Sequence, residues 1–369
     1  MAPASRPTTI QSLDVAPLDM PLRAPFGISR GALAHAANVL VRVTLKDGTQ
    51  GHGEAAPFPA YNGETQQGTL AALRRVAGQL VGSDASDWKA VGSRFRASAG
   101  PACGSALCAL EMALLDAVTR SGATPLWRFF GNAGAGLDTD MTVTTGTPGE
   151  AAEAAEAIRR RGIRTIKVKV GGAPGGAAPD LARIGAILAA APDSPLILDG
   201  NAGMGRAQAS ELAGGLKALG VAPLLLEQWL ARDDLEGMRA LGADTGWSVA
   251  ADESVASADD ARRVAQSRAA QVINVKLMKA GISGALEVVQ VARAEGLGLM
   301  IGGNVESILA MTASACFASG LGGFAYADLD TPLFLAENPF RGGFHMDGSR
   351  ISVAHIERGH GVVPAGLLF

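Results

Sequence analysis

The chain has 369 residues, 48% of them hydrophobic, and a formal net charge of -3. Such a length exceeds the usual single domain, so two domains, or one barrel with additions, are expected. The near-neutral balance gives no electrostatic reason to expect nucleic acid or a membrane surface as a partner, and no stretch is apolar and long enough to span a bilayer.

Cys103, Cys108 and Cys316 form an odd set without a Cys-x-x-Cys spacing. That argues against a disulfide framework or a thiolate metal site and for a reducing compartment. The N-terminus, Met1 to Pro7, lacks the apolar core of a signal peptide, so a soluble cytoplasmic protein is expected.

Residues 8–56 read as strands. Val39-Leu40-Val41-Arg42-Val43-Thr44-Leu45 is rich in β-branched residues, and Lys46-Asp47-Gly48 is a hairpin turn into the next strand. Thr65–Val81, Trp88–Ala97 and Ser105–Arg120 then show helical periodicity. A meander followed by helices predicts an α+β domain.

From about Asp140 short apolar runs alternate with amphipathic helices. The runs are Met141–Thr144, Thr165–Val170, Pro195–Asp199, Pro223–Glu227, Ser248–Asp252, Val272–Lys276, Leu297–Ile301 and Phe324–Asp328. Eight such runs predict a (β/α)8-type barrel, whose functional residues stand at the C-terminal strand ends. A doubly wound open sheet competes, but its glycine fingerprint is missing after the first strand. We expect a capping domain over residues 1–125, joined by the tail at about 340–369, and a modified TIM barrel over 126–339. Arg350-Ile351-Ser352-Val353 reads as a strand returning to the first domain.

Lys169, Asp199, Glu227, Asp252 and Lys276 end successive strands, at gaps of 30, 28, 25 and 24 residues, each about one strand, one helix and two loops. A lone acidic residue there is more often a helix cap. Three in regular succession, each after an apolar run, suit a hard divalent cation with oxygen ligands, Mg²⁺ above all, with one metal per chain. Asn201 and Glu253 are expected to hold those ligands or the lysine network in place. Lys167 and Lys169 alternate with valine and so share one strand face. Two adjacent ammonium groups should lower the pKa of at least one lysine toward the range of a base. Lys279 lies beyond its strand and reads as solvated. His52 reads as structural, and Gly171–Gly176 as a flexible loop, since no Gly-Lys-Ser/Thr follows.

In combination, Lys167-Val-Lys169-Val-Gly, Asp199-Gly-Asn201, Glu227-Gln228, Asp252-Glu253-Ser254 and Asn274-x-Lys276-Leu-x-Lys279 resemble the enolase superfamily, muconate lactonizing subgroup. The resemblance extends to Pro21-Leu22-Arg23-x-Pro25-Phe26 and Gly51-x-Gly53-Glu54-x-x-Pro57 and covers nearly the whole chain. Asp328-Leu329-Asp330 is similar to the Asp-x-Asp element of dipeptide epimerases, which receives the substrate's α-ammonium group; a turn before Pro332 is the plainer reading. The resemblance implies an isomerase with one Mg²⁺, acting on L-Ala-L-Xaa dipeptides of the L-Ala-D/L-Glu kind by transferring a proton at the C-terminal residue. It assigns Lys169 to the L-face and Lys276 to the D-face, Lys167 to tuning Lys169, and Asp328 and Asp330 to the ammonium end. Arg30, on the capping loop, suits a glutamate side chain and equally suits solvent. The partner is a small dipeptide, and a homo-oligomer is compatible with this reading.

Three features depart from the family pattern: Trp229 stands where proline is usual, Gly200 replaces a common alanine, and the Gly302–Ser307 segment differs from the usual seventh-strand sequence, which more often carries Cys and Met. A cycloisomerase, an o-succinylbenzoate synthase or an N-acylamino-acid racemase would keep the same catalytic set. A barrel that binds amino-acid derivatives without catalysis has no need of two opposed lysines.

Overall fold

The computed structural model describes residues 6–28, 31–59, 63–100, 103–172, 176–366 and 368–369. It begins with an antiparallel sheet of β1 (Ile10–Ile28), β2 (Gly31–Leu45) and β3 (Gln50–Ala55). The Leu45–Thr49 backbone hydrogen bond closes the second hairpin, and Gly48 takes the positive φ its turn requires. Helices α1 (Gln66–Leu80), α2 (Trp88–Ala99) and α3 (Gly104–Ser121) follow as the periodicity predicts.

Helix α3 packs directly on β3. A Cβ at Gly51 would lie 2.2 Å from the Ala113 carbonyl oxygen, and one at Gly53 would lie 2.0 Å from that of Ala109. Only glycine permits that approach, and it sends His52 and Glu54 to the opposite face of the strand. The same helix meets the barrel: Glu111 accepts from Ser283 N (2.9 Å) and Ser283 Oγ (2.6 Å).

After a short helix α4 (Leu126–Phe129) and strand β4 (Gly136–Asp138), eight parallel strands form one curled sheet in chain order. They are β5 (Met141–Val143), β6 (Ile166–Lys169), β7 (Leu196–Asp199), β8 (Leu225–Glu227), β9 (Val249–Ala251), β10 (Val272–Lys276), β11 (Gly298–Gly302) and β12 (Phe324–Ala327). Asp140 N donates to Ala327 O at 2.9 Å, linking the two edge strands. Seven helices alternate with them: α5 (Pro148–Arg160), α6 (Ala178–Ala190), α7 (Arg206–Ala218), α8 (Leu235–Thr245), α9 (Ala258–Ser267), α10 (Leu277–Ala294) and α11 (Ile308–Leu321). The last strand instead leads to a 3₁₀ turn, Thr331–Leu333, so this is a modified (β/α)8 barrel. Ile197, Leu225, Ala250, Val272 and Met300, with Tyr326, fill its interior, as small barrels require.

The tail corrects one expectation. Strand β14 (Arg350–Ser352) pairs with β13 (His345–Asp347) and β4, not with the N-terminal sheet. The segment that does reach the first helices lies further on. His360 Nε2 contacts Asp116 Oδ2 (3.2 Å) and His52 O (2.9 Å), and Arg120 Nη2 donates to Val362 O (2.8 Å). Among the described residues, no helix is long and apolar enough to cross a membrane. All three cysteines are free thiols.

Candidate active site

Strand register gathers the charged residues that the sequence spaced so evenly. Lys169 pairs with Asp199 across β6 and β7, and Asp199 with Glu227 across β7 and β8; Asp252 follows the last residue of β9. Each carboxylate is buried. Lys169 Nζ lies 2.6 Å from Asp199 Oδ2, and Lys276 Nζ lies 2.9 Å from Asp252 Oδ2.

Lys167 is held by three carboxylates at once. Its buried ammonium bridges Asp199 Oδ2 (3.0 Å), Glu227 Oε2 (2.9 Å) and Asp328 Oδ2 (2.7 Å). Burial opposes its charge, yet Asp199, Asp328, Glu227 and Asp140 raise its pKa well above the ordinary value. Of the two lysines, at least one of which is expected to be lowered, Lys167 is not the lowered one, because carboxylates surround it.

Lys279 is a second correction. It is not solvated: its side chain is only 6% exposed and its Nζ contacts Asp252 Oδ1 (2.8 Å), Asp252 O (2.7 Å) and Asn274 O (2.8 Å). The helix that starts directly after β10 turns it back over the strand end. Burial lowers its pKa. Against the cost of burial, Lys276 and Lys279 together hold Asp252 far below the usual carboxylate range.

Neighbouring residues fix these groups. Asn201, at a positive φ of 44°, donates its backbone N–H to Asp199 Oδ1 (2.9 Å), and Asn274 Nδ2 donates to Glu227 Oε1 (2.8 Å). Gln228 Oε1 accepts from the backbone N–H of Asp252 (2.9 Å) and of Ser254 (3.1 Å), setting the end of β9. Glu253 is buried and burial raises its pKa to about 8; its Oε2 has no hydrogen-bond partner among the described residues.

Lys169, Asn201, Lys276, Asp328 and Asp330 line one cleft with Phe58, Thr142, Gly303, Asn304, Val305 and Thr331. Trp229 is not among them. Its indole is buried and donates to Leu198 O (2.9 Å). A Cβ at Gly200 would lie 2.6 Å from the Cα of residue 229, a backbone approach that does not depend on the indole. Neither Gly200 nor Trp229 lines the cleft, whereas Gly303, Asn304 and Val305 of the third departure do. Arg30 falls outside the described residues.

The carboxylates fit a hard divalent cation: three buried oxygen donors converge from consecutive strands, each already opposed by ammonium charge. Their oxygens are not the most tightly grouped, however. Among the described residues, only Asp140, Asp328 and Asp330 each bring one oxygen within a shared 4.8 Å. Asp140 was missed in the sequence because it precedes the first apolar run instead of ending a strand. Neither of its oxygens has a hydrogen-bond partner among the described residues, and burial followed by Asp328 pushes its pKa well up. Burial and Asp328 likewise raise Asp330 to about 7.

A carboxyl whose pKa is raised on folding stabilises the fold below its unfolded pKa and loses that contribution as pH rises through the folded value. Asp140→Asn, which mimics the neutral acid, should therefore melt at or above the wild-type temperature at pH 8. The two proteins should converge near pH 4. A thermal series that finds the variant less stable at pH 8 would show Asp140 to be an ionised, paired group.

Two family models match the chain. Residues 150–366 match the enolase C-terminal domain-like model, and residues 11–131 match the N-terminal domain of mandelate racemase and muconate lactonizing enzymes. An aromatic dipeptide epimerase of Herpetosiphon aurantiacus is 50% identical over 356 residues, spanning 96% of this chain and 99% of that one. The crystal structure of a mandelate racemase/muconate lactonizing protein from the same organism superposes with a TM-score of 0.94, at 50% identity, over 98% of this chain and 100% of that one. A dipeptide epimerase of Enterococcus faecalis, crystallised with Mg and L-Leu-L-Tyr, gives a TM-score of 0.90 at 28% identity over 96% and 99% of the two chains.

Proposed function

The chain belongs to the mandelate racemase/muconate lactonizing enzyme family of the enolase superfamily, and from that membership we propose that it is a Mg²⁺-dependent dipeptide epimerase. Its reaction would invert the α-carbon of the C-terminal residue of an L-Ala-L-Xaa dipeptide. One observation carries the reading. Lys169 and Lys276 line a single cleft from β6 and β10, four strands apart in an eight-stranded ring. Two amines so placed reach a carbon from opposite sides, as 1,1-proton transfer demands. The neutral lysine removes the α-proton and the protonated one returns a proton to the other face. By similarity to the family, Lys169 serves the L-epimer and Lys276 the D-epimer.

Asp199, Glu227 and Asp252 would hold the metal. When bound, it supplies positive charge beside the substrate carboxylate, where negative charge builds as the α-proton leaves. Lys167 acts as a fixed cation that keeps Asp199, Glu227 and Asp328 in place. Asp328 and Asp330 receive the substrate's ammonium group. Phe58 and Val305 are the wholly apolar side chains lining the cleft among the described residues. With the Herpetosiphon relative named for aromatic dipeptides, they favour an apolar or aromatic C-terminal side chain over glutamate. We place the domain boundary near residue 125, with the tail from about 340 docked against both parts. The free thiols favour a reducing cytoplasm.

The ammonium site separates this reading from an N-acylamino-acid racemase. A charge-assisted hydrogen bond is worth about 1.5–3 kcal/mol, so Asp330→Asn should lower kcat/KM roughly tenfold to a hundredfold on L-Ala-L-Phe. N-acetyl-L-Ala-L-Phe, a poor substrate throughout, should change little or improve. Equal losses on both, or wild-type preference for the acylated compound, would move the assignment to the racemase.

A further inference from the structure

Glu54 is fully buried on β3, yet it takes no part in the chemistry above. Gly51 and Gly53 face α3, so strand alternation turns Glu54 to the opposite face, toward the start of α11. Its Oε1 accepts from Asn38 Nδ2 (2.7 Å) and from the backbone N–H of Ser307 (3.0 Å). Its Oε2 accepts from Ala310 N (3.3 Å) and from the Ser307 hydroxyl. A carboxylate in that position meets the exposed N–H groups and the positive end of a helix dipole, so it caps α11 from a different part of the chain.

Two further bonds stitch the same seam. Asn38 Nδ2 also donates to Val305 O (2.9 Å), and Asn304 Nδ2 donates to Ala56 O (2.9 Å). The residues so tied are the ones that shape the cleft: Asn304 and Val305 line it from the barrel, and Phe58, four residues after Glu54, lines it from the other side.

We infer that Glu54 is a positioning residue that sets the separation of Val305 and Asn304 from Phe58, and so the width available to the substrate's side chain. It touches neither the substrate nor the lysines. The inference rests on the dipeptide reading only for the identity of that side chain.

Glu54→Gln and Ser307→Ala test it. Glutamine retains the shape of Glu54 but presents an NH₂ group to donors. The Ser307 hydroxyl can turn to accept from it, whereas the Ala310 N–H cannot. Ser307→Ala removes the hydroxyl that donates to Glu54 and accepts from Leu309 N (3.1 Å), and leaves Glu54 bonded to Asn38, the Ser307 N–H and the Ala310 N–H. In both variants kcat/KM for L-Ala-L-Phe should fall at least about tenfold more than for L-Ala-L-Ala, chiefly through KM, with kcat for the smaller substrate nearly kept. Amide hydrogen exchange should quicken at residues 304–310 and stay unchanged in β6–β10. Equal losses on both substrates, or no loss on either, would overturn the role. If the wild-type protein turns over no dipeptide, the proposed reaction fails, and the exchange data alone judge Glu54: unchanged protection at 304–310 overturns the inference.

Discussion

Lys169→Ala and Lys276→Ala should each lower epimerisation of L-Ala-L-Phe by at least about 10²–10⁴-fold, the usual contribution of a positioned acid or base. Neither substitution strands a buried carboxylate. Asp199 retains Lys167 at 3.0 Å when Lys169 is removed, and Asp252 retains Lys279 at 2.8 Å when Lys276 is removed. Both variants should therefore fold and bind Mg²⁺. Each should also keep one half-reaction. Lys169→Ala should still exchange the α-proton of the D-epimer with solvent, and Lys276→Ala that of the L-epimer. NMR in D₂O on the separate epimers measures this; near wild-type epimerisation by both variants would show the bases to be misassigned.

Removal of the metal should be as damaging. Loss of an outer partner of a metal ligand already costs about 10–100-fold in affinity or activity, so Asp252→Asn should exceed that range. This substitution also leaves Lys276 and Lys279 facing a neutral amide, and breaking a buried charge pair costs on the order of 3–5 kcal/mol. Glu227→Gln separates the two effects. Its carboxylate contacts Lys167, which keeps Asp199 and Asp328 as partners. Added Mg²⁺ should raise the melting temperature of the wild-type protein and fail to raise that of either variant at the same concentration. Full wild-type turnover in excess chelator would rule out the metal assignment.

Much of the fold and of the site is legible in the sequence. All eight barrel strands fall within about two residues of the apolar runs, because buried parallel strands must be apolar on both faces. Charged residues at strand ends stood out against those runs. Residues that depend on geometry beyond the strand were harder to read. Lys279 looked solvated because periodicity does not reveal that the helix after β10 folds it back over Asp252. Asp140 opens a strand instead of closing one, and only the barrel's stagger brings it beside Asp328. The C-terminal strands are three residues long, too short for alternation to identify their partner, so the pairing of β14 with β4 and not with the first domain is not readable from sequence. Glu54 was visible only as part of a motif; its contacts span more than 250 residues of sequence.

The most direct test of two-base proton transfer is the wild-type reaction itself. L-Ala-L-Phe is incubated with protein and Mg²⁺ in D₂O, stopped at low conversion, and the separated epimers are weighed by mass spectrometry. The account predicts that the L-Ala-D-Phe formed carries deuterium at the α-carbon of phenylalanine, while the remaining L-Ala-L-Phe largely keeps its proton. An epimer that retains the original proton, or the absence of any epimer or exchange, would contradict it.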